Sequence, residues 1–209
     1  MGTIWGGTGA TAFGSGAISD WPVIMLKGFI SYAREDQAGC DKLLRQLKPL
    51  ERNGSITFWA DQAVDPGDVW HDSIIRALDE ADIALFLASP DMCFSDFIFE
   101  IELPLAIERW KRGTLSIVPV LLRPCLWDVN AGPCLGQLQA TPGNKKTISS
   151  YASEDEGYFV AAQHIKRIVE SKLADSRKRP TTIKRAAQST LSNTPEKGAD
   201  GTDRKYPLH

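Results

Sequence analysis

Two glutamates flank one apolar residue in Glu100-Ile101-Glu102, and no other groups in this chain are better placed to do chemistry. Phe94, Phe97, Ile98, Ile101 and Leu105 recur around them at helical spacing and are expected to face a core. At roughly 100° per residue, Glu100 and Glu102 fall on opposite flanks of Ile101. One of them can look into a cleft while the other looks to solvent. A carboxylate held at a cleft stabilises positive charge developing in a transition state, as in glycoside hydrolysis. The plain alternative is a pair of solvated helix charges, which is what most such pairs are.

A helix of this kind needs a scaffold, and the pattern on either side supplies one. In Lys27-Gly-Phe-Ile-Ser-Tyr-Ala-Arg-Glu-Asp36 an apolar run stops at Ser31-Tyr32 and passes straight into charge. That is the form of a buried parallel strand delivering a polar loop to the sheet's carboxyl edge, where open α/β sheets bind ligands. Leu26–Tyr32 is therefore expected as the first strand. Leu43, Leu44, Leu47 and Leu50 form a helical stripe over Asp41–Leu50, closed by Asn53-Gly54. Strands follow at Ile56–Trp59, Ile83–Ala88 and Leu115–Leu122, with a helix over Val69–Leu78. A last helix, Tyr158–Leu173, is expected to turn Phe159, Ala162, Ile165, Val169 and Leu173 inward. Alternating strands and helices imply parallel βαβ units. The expected fold is a flavodoxin-like three-layer α/β/α sandwich around a parallel sheet of about five strands.

Composition narrows the function. The chain has 209 residues, 43% hydrophobic, enough for one good core. A net charge of −2 exerts no global pull toward nucleic acid or anionic membrane. Cys40, Cys93, Cys125 and Cys134 are widely spaced without a C-x-x-C pair, so reduced, partly buried thiols are expected, with no metal site. No apolar run approaches the roughly 20 residues of a membrane span, and a cytoplasmic protein is expected. His71 and His164 lack partner spacing and read as surface residues. No Gly-rich phosphate loop follows a strand, which disfavours a conventional dinucleotide or nucleoside-triphosphate domain.

Both ends differ from the middle. Residues 1–24 hold Gly2, Gly6, Gly7, Gly9, Gly14 and Gly16, with no Lys or Arg and no uninterrupted apolar core, so a secretory signal is not expected there. Either they are a translated upstream region with Met25 as the natural start, or they are a flexible extension. The folded domain is placed at 25–174. Residues 175–209, with Arg177-Lys178-Arg179 and Lys184-Arg185 among Thr, Ser and Gly, are expected to be a disordered solvated tail.

Three blocks, taken in order, carry a family resemblance: Phe29-Ile-Ser-Tyr-Ala-Arg34, then Phe58-Trp-Ala-Asp61 with Asp65-Pro-Gly-Asp68 and Trp70, then Leu85–Pro90 leading into Ser95–Pro104. They resemble the TIR (Toll/interleukin-1 receptor) domain in its bacterial form, over roughly residues 26 to 172. Asp65–Asp68 is a well-made turn in its own right. The resemblance makes it the BB loop, in which Pro66 and Gly67 contact a neighbouring protomer. Catalytically active members carry one glutamate early in the helix after the third strand. The bacterial pattern aromatic-x-aromatic-acid-x-Glu-Met matches the register of Phe97-Ile-Phe99-Glu100-Ile-Glu102-Leu103, with Leu103 in place of Met, and selects Glu102, with Glu100 as rival. The aromatic-x-x-x-Glu spacing of plant and animal members, counted from Phe97, would fall on Ile101 instead.

The resemblance implies an NAD+ nucleosidase of glycohydrolase or ADP-ribosyl cyclase type, with NAD+ as substrate and no cofactor. Tyr32, Ala33 and Arg34 would hold the nucleotide, Asp65 would match an acidic BB-loop position, and Trp70 would stack on a base or simply pack the helix start. It further implies self-association through TIR–TIR contacts, a separate sensor or effector protein, and a role in antiphage defence. No nucleic acid or membrane partner is implied. The alternative class is a non-enzymatic interaction module, an adaptor or host-mimicking effector.

Overall fold

The computed structural model describes residues 24–60, 70–127, 136–143 and 146–178. Among them, four parallel strands form one sheet: β1 (Leu26–Ser31), β2 (Ile56–Ala60), β3 (Ile83–Ala88) and β4 (Ser116–Leu121). Their order is β2-β1-β3-β4. The helices are α1 (Gln37–Arg52), α2 (Trp70–Glu80), a short α3 (Pro90–Phe94), α4 (Leu103–Lys111) and α5 (Glu154–Lys178). A π-helical turn, Ile98–Glu102, joins α3 to α4.

Every side chain of β3 is buried, which is why its sequence reads as an unbroken apolar run. Successive side chains alternate between layers. Ile83, Leu85 and Leu87 pack with Leu43 and Leu47 of α1 and Ile165 and Val169 of α5. Ala84, Phe86 and Ala88 pack with Ile74 and Leu78 of α2 and Leu103 and Ala106 of α4. Each large side chain removed from water in this way contributes about 1.5–3 kcal/mol. The expected three-layer α/β/α sandwich is thus present. α1 ends where Gly54 adopts φ 73°, a left-handed conformation that glycine takes without a Cβ penalty.

Several expectations are corrected. In place of a fifth strand, the described residues contain one bridge beside β4. Thr141 N–H donates to Pro119 O at 2.9 Å, and Leu121 N–H donates to Thr141 O at 2.8 Å. Pro142 follows at once, and Gly143 at φ 99° turns the chain out of extended conformation, so the ladder stops. On α5, Phe159 is 51% exposed and Tyr158 and Ala161 point inward instead. The cause is Gly157, where an added Cβ would stand 3.0 Å from the Ile148 backbone. That close approach sets the rotation of α5, which also continues past Ala174 to Lys178. Phe94 is 89% exposed because α3 ends there and Ser95 is extended, breaking the helical phase assumed from Phe94 onward.

His71 is exposed, but His164 is not a surface residue. It is half-buried and its Nδ1 pairs with Thr141 Oγ1 at 2.9 Å. Burial, and then nearby Arg167, hold its imidazole below the ordinary range. Cys40 is buried and Cys93 and Cys125 are half-buried free thiols. Burial pushes Cys40 up to about 12. No helix among the described residues is long and apolar enough to cross a membrane.

Candidate functional site

The carboxyl ends of β1 and β3 lie side by side at the point where the strand order reverses. Doubly wound sheets present ligands with a crevice at such a switch point. β1 delivers Tyr32, Ala33 and Arg34 there, and they separate. Tyr32 is buried in the α1/α5 layer, where its hydroxyl donates to Gln37 Oε1 at 2.8 Å. Ala33 is buried in the α2/α4 layer, and Arg34 is exposed. Of the three, Arg34 alone offers an exposed side chain for a nucleotide.

The segment after β3 brings the carboxylates to the same edge. Ser89 caps α3, its Oγ accepting from Met92 N–H at 3.0 Å. Phe97 meets the His71 ring edge-on at 5.1 Å, tying the start of α2 to the π-helical turn. In that turn Leu103 N–H reaches back to Ile98 O, five residues earlier. Glu102 is 5% exposed, whereas Glu100 is exposed. Ile98 and Leu103, on either side of Glu102, share a cluster with Ala33 and Ile74. The loop after β1, the first turn of α2 and the π-helical turn therefore meet in the same layer. Tyr32 is turned away from it.

Sequence reasoning assigned nothing to the polar group that spans the switch point itself. Ser89 Oγ donates to Asp36 Oδ2, and Arg123, just beyond β4, donates to Asp36 Oδ1 at 2.7 Å and also to Asp91. Ser89 and Asp36 are 0% and 5% exposed. Hydrogen bonds from Arg123 to Asp91 and then to Asp36 raise the guanidinium's pKa. The signal available in the sequence was a small polar or charged residue just after each of three apolar strands. Ser89→Ala leaves the Met92 N–H without its cap and a buried carboxylate short of a donor. It is expected to lower stability by about 1–3 kcal/mol, read by denaturant unfolding.

Trp70 opens α2. Asp65, Pro66 and Gly67 lie outside the described residues. A groove of about 360 Å³ between α2 and α4, lined by Arg76, Asp79, Glu108 and Arg109, includes none of the candidate residues. Among the described residues no three His, Cys, Asp or Glu side chains converge as metal ligands.

Residues 29–158 match the family model described as TIR domain. The chain is also 30% identical over 168 residues to an uncharacterized protein, y4lF, of Sinorhizobium fredii (strain NBRC 101917 / NGR234). That match covers 80% of this chain and 51% of the relative, so the chain spans about half the relative's length. The family match takes in the end of β1, all of β2, β3 and β4, and the π-helical turn, and the chain belongs to the TIR domain family.

Proposed function

We propose that this TIR domain is an NAD+ nucleosidase that cleaves the nicotinamide–ribose bond. Nicotinamide is released with ADP-ribose or a cyclic ADP-ribose-type product, and the setting is bacterial antiphage defence. The family includes NAD-cleaving enzymes. The observation that carries the reading is the asymmetry of the two glutamates: Glu102 is buried in the π-helical turn while Glu100 is exposed.

One carboxylate suffices for this bond. The nicotinamide leaves a pyridinium as a neutral base, so no acid is needed to protonate the leaving group. When the C–N bond breaks, positive charge builds at the ribose C1′ and ring oxygen. An anionic Glu102 stabilises that charge and accepts hydrogen bonds from ribose hydroxyls. Water then adds to C1′ and loses a proton, giving ADP-ribose. If a ring nitrogen of the adenine adds instead, a cyclic product forms. Arg34, exposed after β1, is suited to the substrate's phosphates.

A second reading is supported by Phe94, the last residue of α3, and Leu126, beyond β4, which are 89% and 72% exposed. Large apolar side chains left in water at this edge suit a contact surface, as a non-enzymatic interaction module requires. Incubating the purified chain with NAD+ at high protein concentration separates the two. Stoichiometric release of nicotinamide with an ADP-ribose product is expected. Unchanged NAD+ under conditions where the protein self-associates would favour the interaction module.

A further inference from the structure

We propose that Pro104 and the π-helical turn it enforces are what place Glu102 in its buried position, so that Pro104 is a positioning residue; its connection to NAD cleavage rests on the functional reading above. In an unbroken α-helix, residue 104 would donate to the carbonyl of Glu100. Proline has no N–H to donate, and its ring would collide with that carbonyl. The chain avoids the collision by widening one turn before the proline. Leu103 N–H bonds Ile98 O instead of Phe99 O, and regular α-helix resumes from Leu103.

The widened turn accommodates one extra residue. Phe97 and Glu102 are five apart, and in a π-helical turn residues five apart stand nearly above one another, as residues four apart do in an α-helix. That is the same single residue by which this chain departs from the aromatic-x-x-x-Glu spacing. Both ends of the segment are held independently. Upstream, Ser89 caps α3 and Phe97 rests on His71. Downstream, Leu103 and Ala106 are 2% and 0% exposed in the core. With the ends held, closing the turn to α-helix would rotate Glu102 by roughly 100° against one of them. Pro104 itself is exposed, so its replacement removes no buried packing.

The test is Pro104→Ala in the full chain, read three ways. Carboxyl labelling with a water-soluble carbodiimide and an amine, followed by peptide mass spectrometry, should modify Glu100 and spare Glu102 in the wild type. In Pro104→Ala, Glu102 labelling should rise at least fivefold. The melting temperature should stay level or increase, since alanine is the better helix residue. The kcat for NAD cleavage should fall at least tenfold, an activity loss without the stability loss that a merely structural role would produce. Unchanged Glu102 labelling overturns the inference whatever the activity does, and so does a kcat within twofold of wild type. If the wild type leaves NAD+ intact while the labelling shifts as expected, the functional reading falls and the positioning role stands.

Discussion

Glu102→Gln is expected to lower kcat for NAD cleavage by at least two orders of magnitude, while Glu100→Gln stays within about threefold of wild type. Removing a single preorganised electrostatic partner of a transition state costs about 10²–10³ in rate, and here the lost group is a full charge opposite a developing cation. Glutamine keeps the volume and a carbonyl acceptor, which matters for a side chain that is 5% exposed. The fold should therefore survive, and an unfolding transition within a few degrees of wild type is part of the expectation. Glu100 is exposed on the solvent side of the same turn, so its neutralisation removes only a screened surface charge. Loss of activity in Glu100→Gln alone would keep the mechanism and move the register. Full activity in both single variants would remove the mechanism.

The strands were legible because burial on both faces leaves little freedom of composition. Ile83–Ala88 is expected from its apolar run and found with the same ends. Leu43, Leu47 and Leu50 are buried as their spacing requires. The misses occur where a contact outside the element sets its phase or supplies its partner. Phe159 looked inward on a helical wheel, but the rotation of α5 is decided by Gly157 against Ile148, in the short turn that precedes the helix. His164 acquires its partner from Thr141, at the bridge that stands where a fifth strand was expected. Asp36, Ser89 and Arg123 come from three separate loops, and no local pattern joins them before the sheet is assembled.

The one-residue ambiguity at the glutamates has a different origin. Counting residues from Phe97 presumes 3.6 per turn, and the π-helical turn breaks that count. Pro104 was the sign in the sequence, since a proline one turn beyond Glu100 argues against an unbroken helix there.

Turnover per protein molecule is expected to rise steeply over a hundredfold increase in protein concentration, and to rise further with a crowding agent. Self-association is common among TIR domains. The three candidate residues after β1 do not converge on one surface. Tyr32 is packed into the opposite layer and Arg34 is the one exposed side chain of its trio. The Ala63-Val64-Asp65-Pro66-Gly67 segment carries apolar and acidic groups, a composition suited to contact with a neighbouring copy. A contact between one surface and a different surface of the next copy is heterologous. It extends into open filaments rather than closing as a dimer, so assembly is steep in concentration. Gly67→Arg and Pro66→His alter the turn-forming residues of that segment. Each should lower turnover at least tenfold at high protein concentration while leaving the melting temperature within a few degrees of wild type. The assay is nicotinamide release against protein concentration, paired with light scattering on the same samples. Specific activity that stays constant over the whole range, with both variants matching wild type, would show that a single protomer holds the complete site.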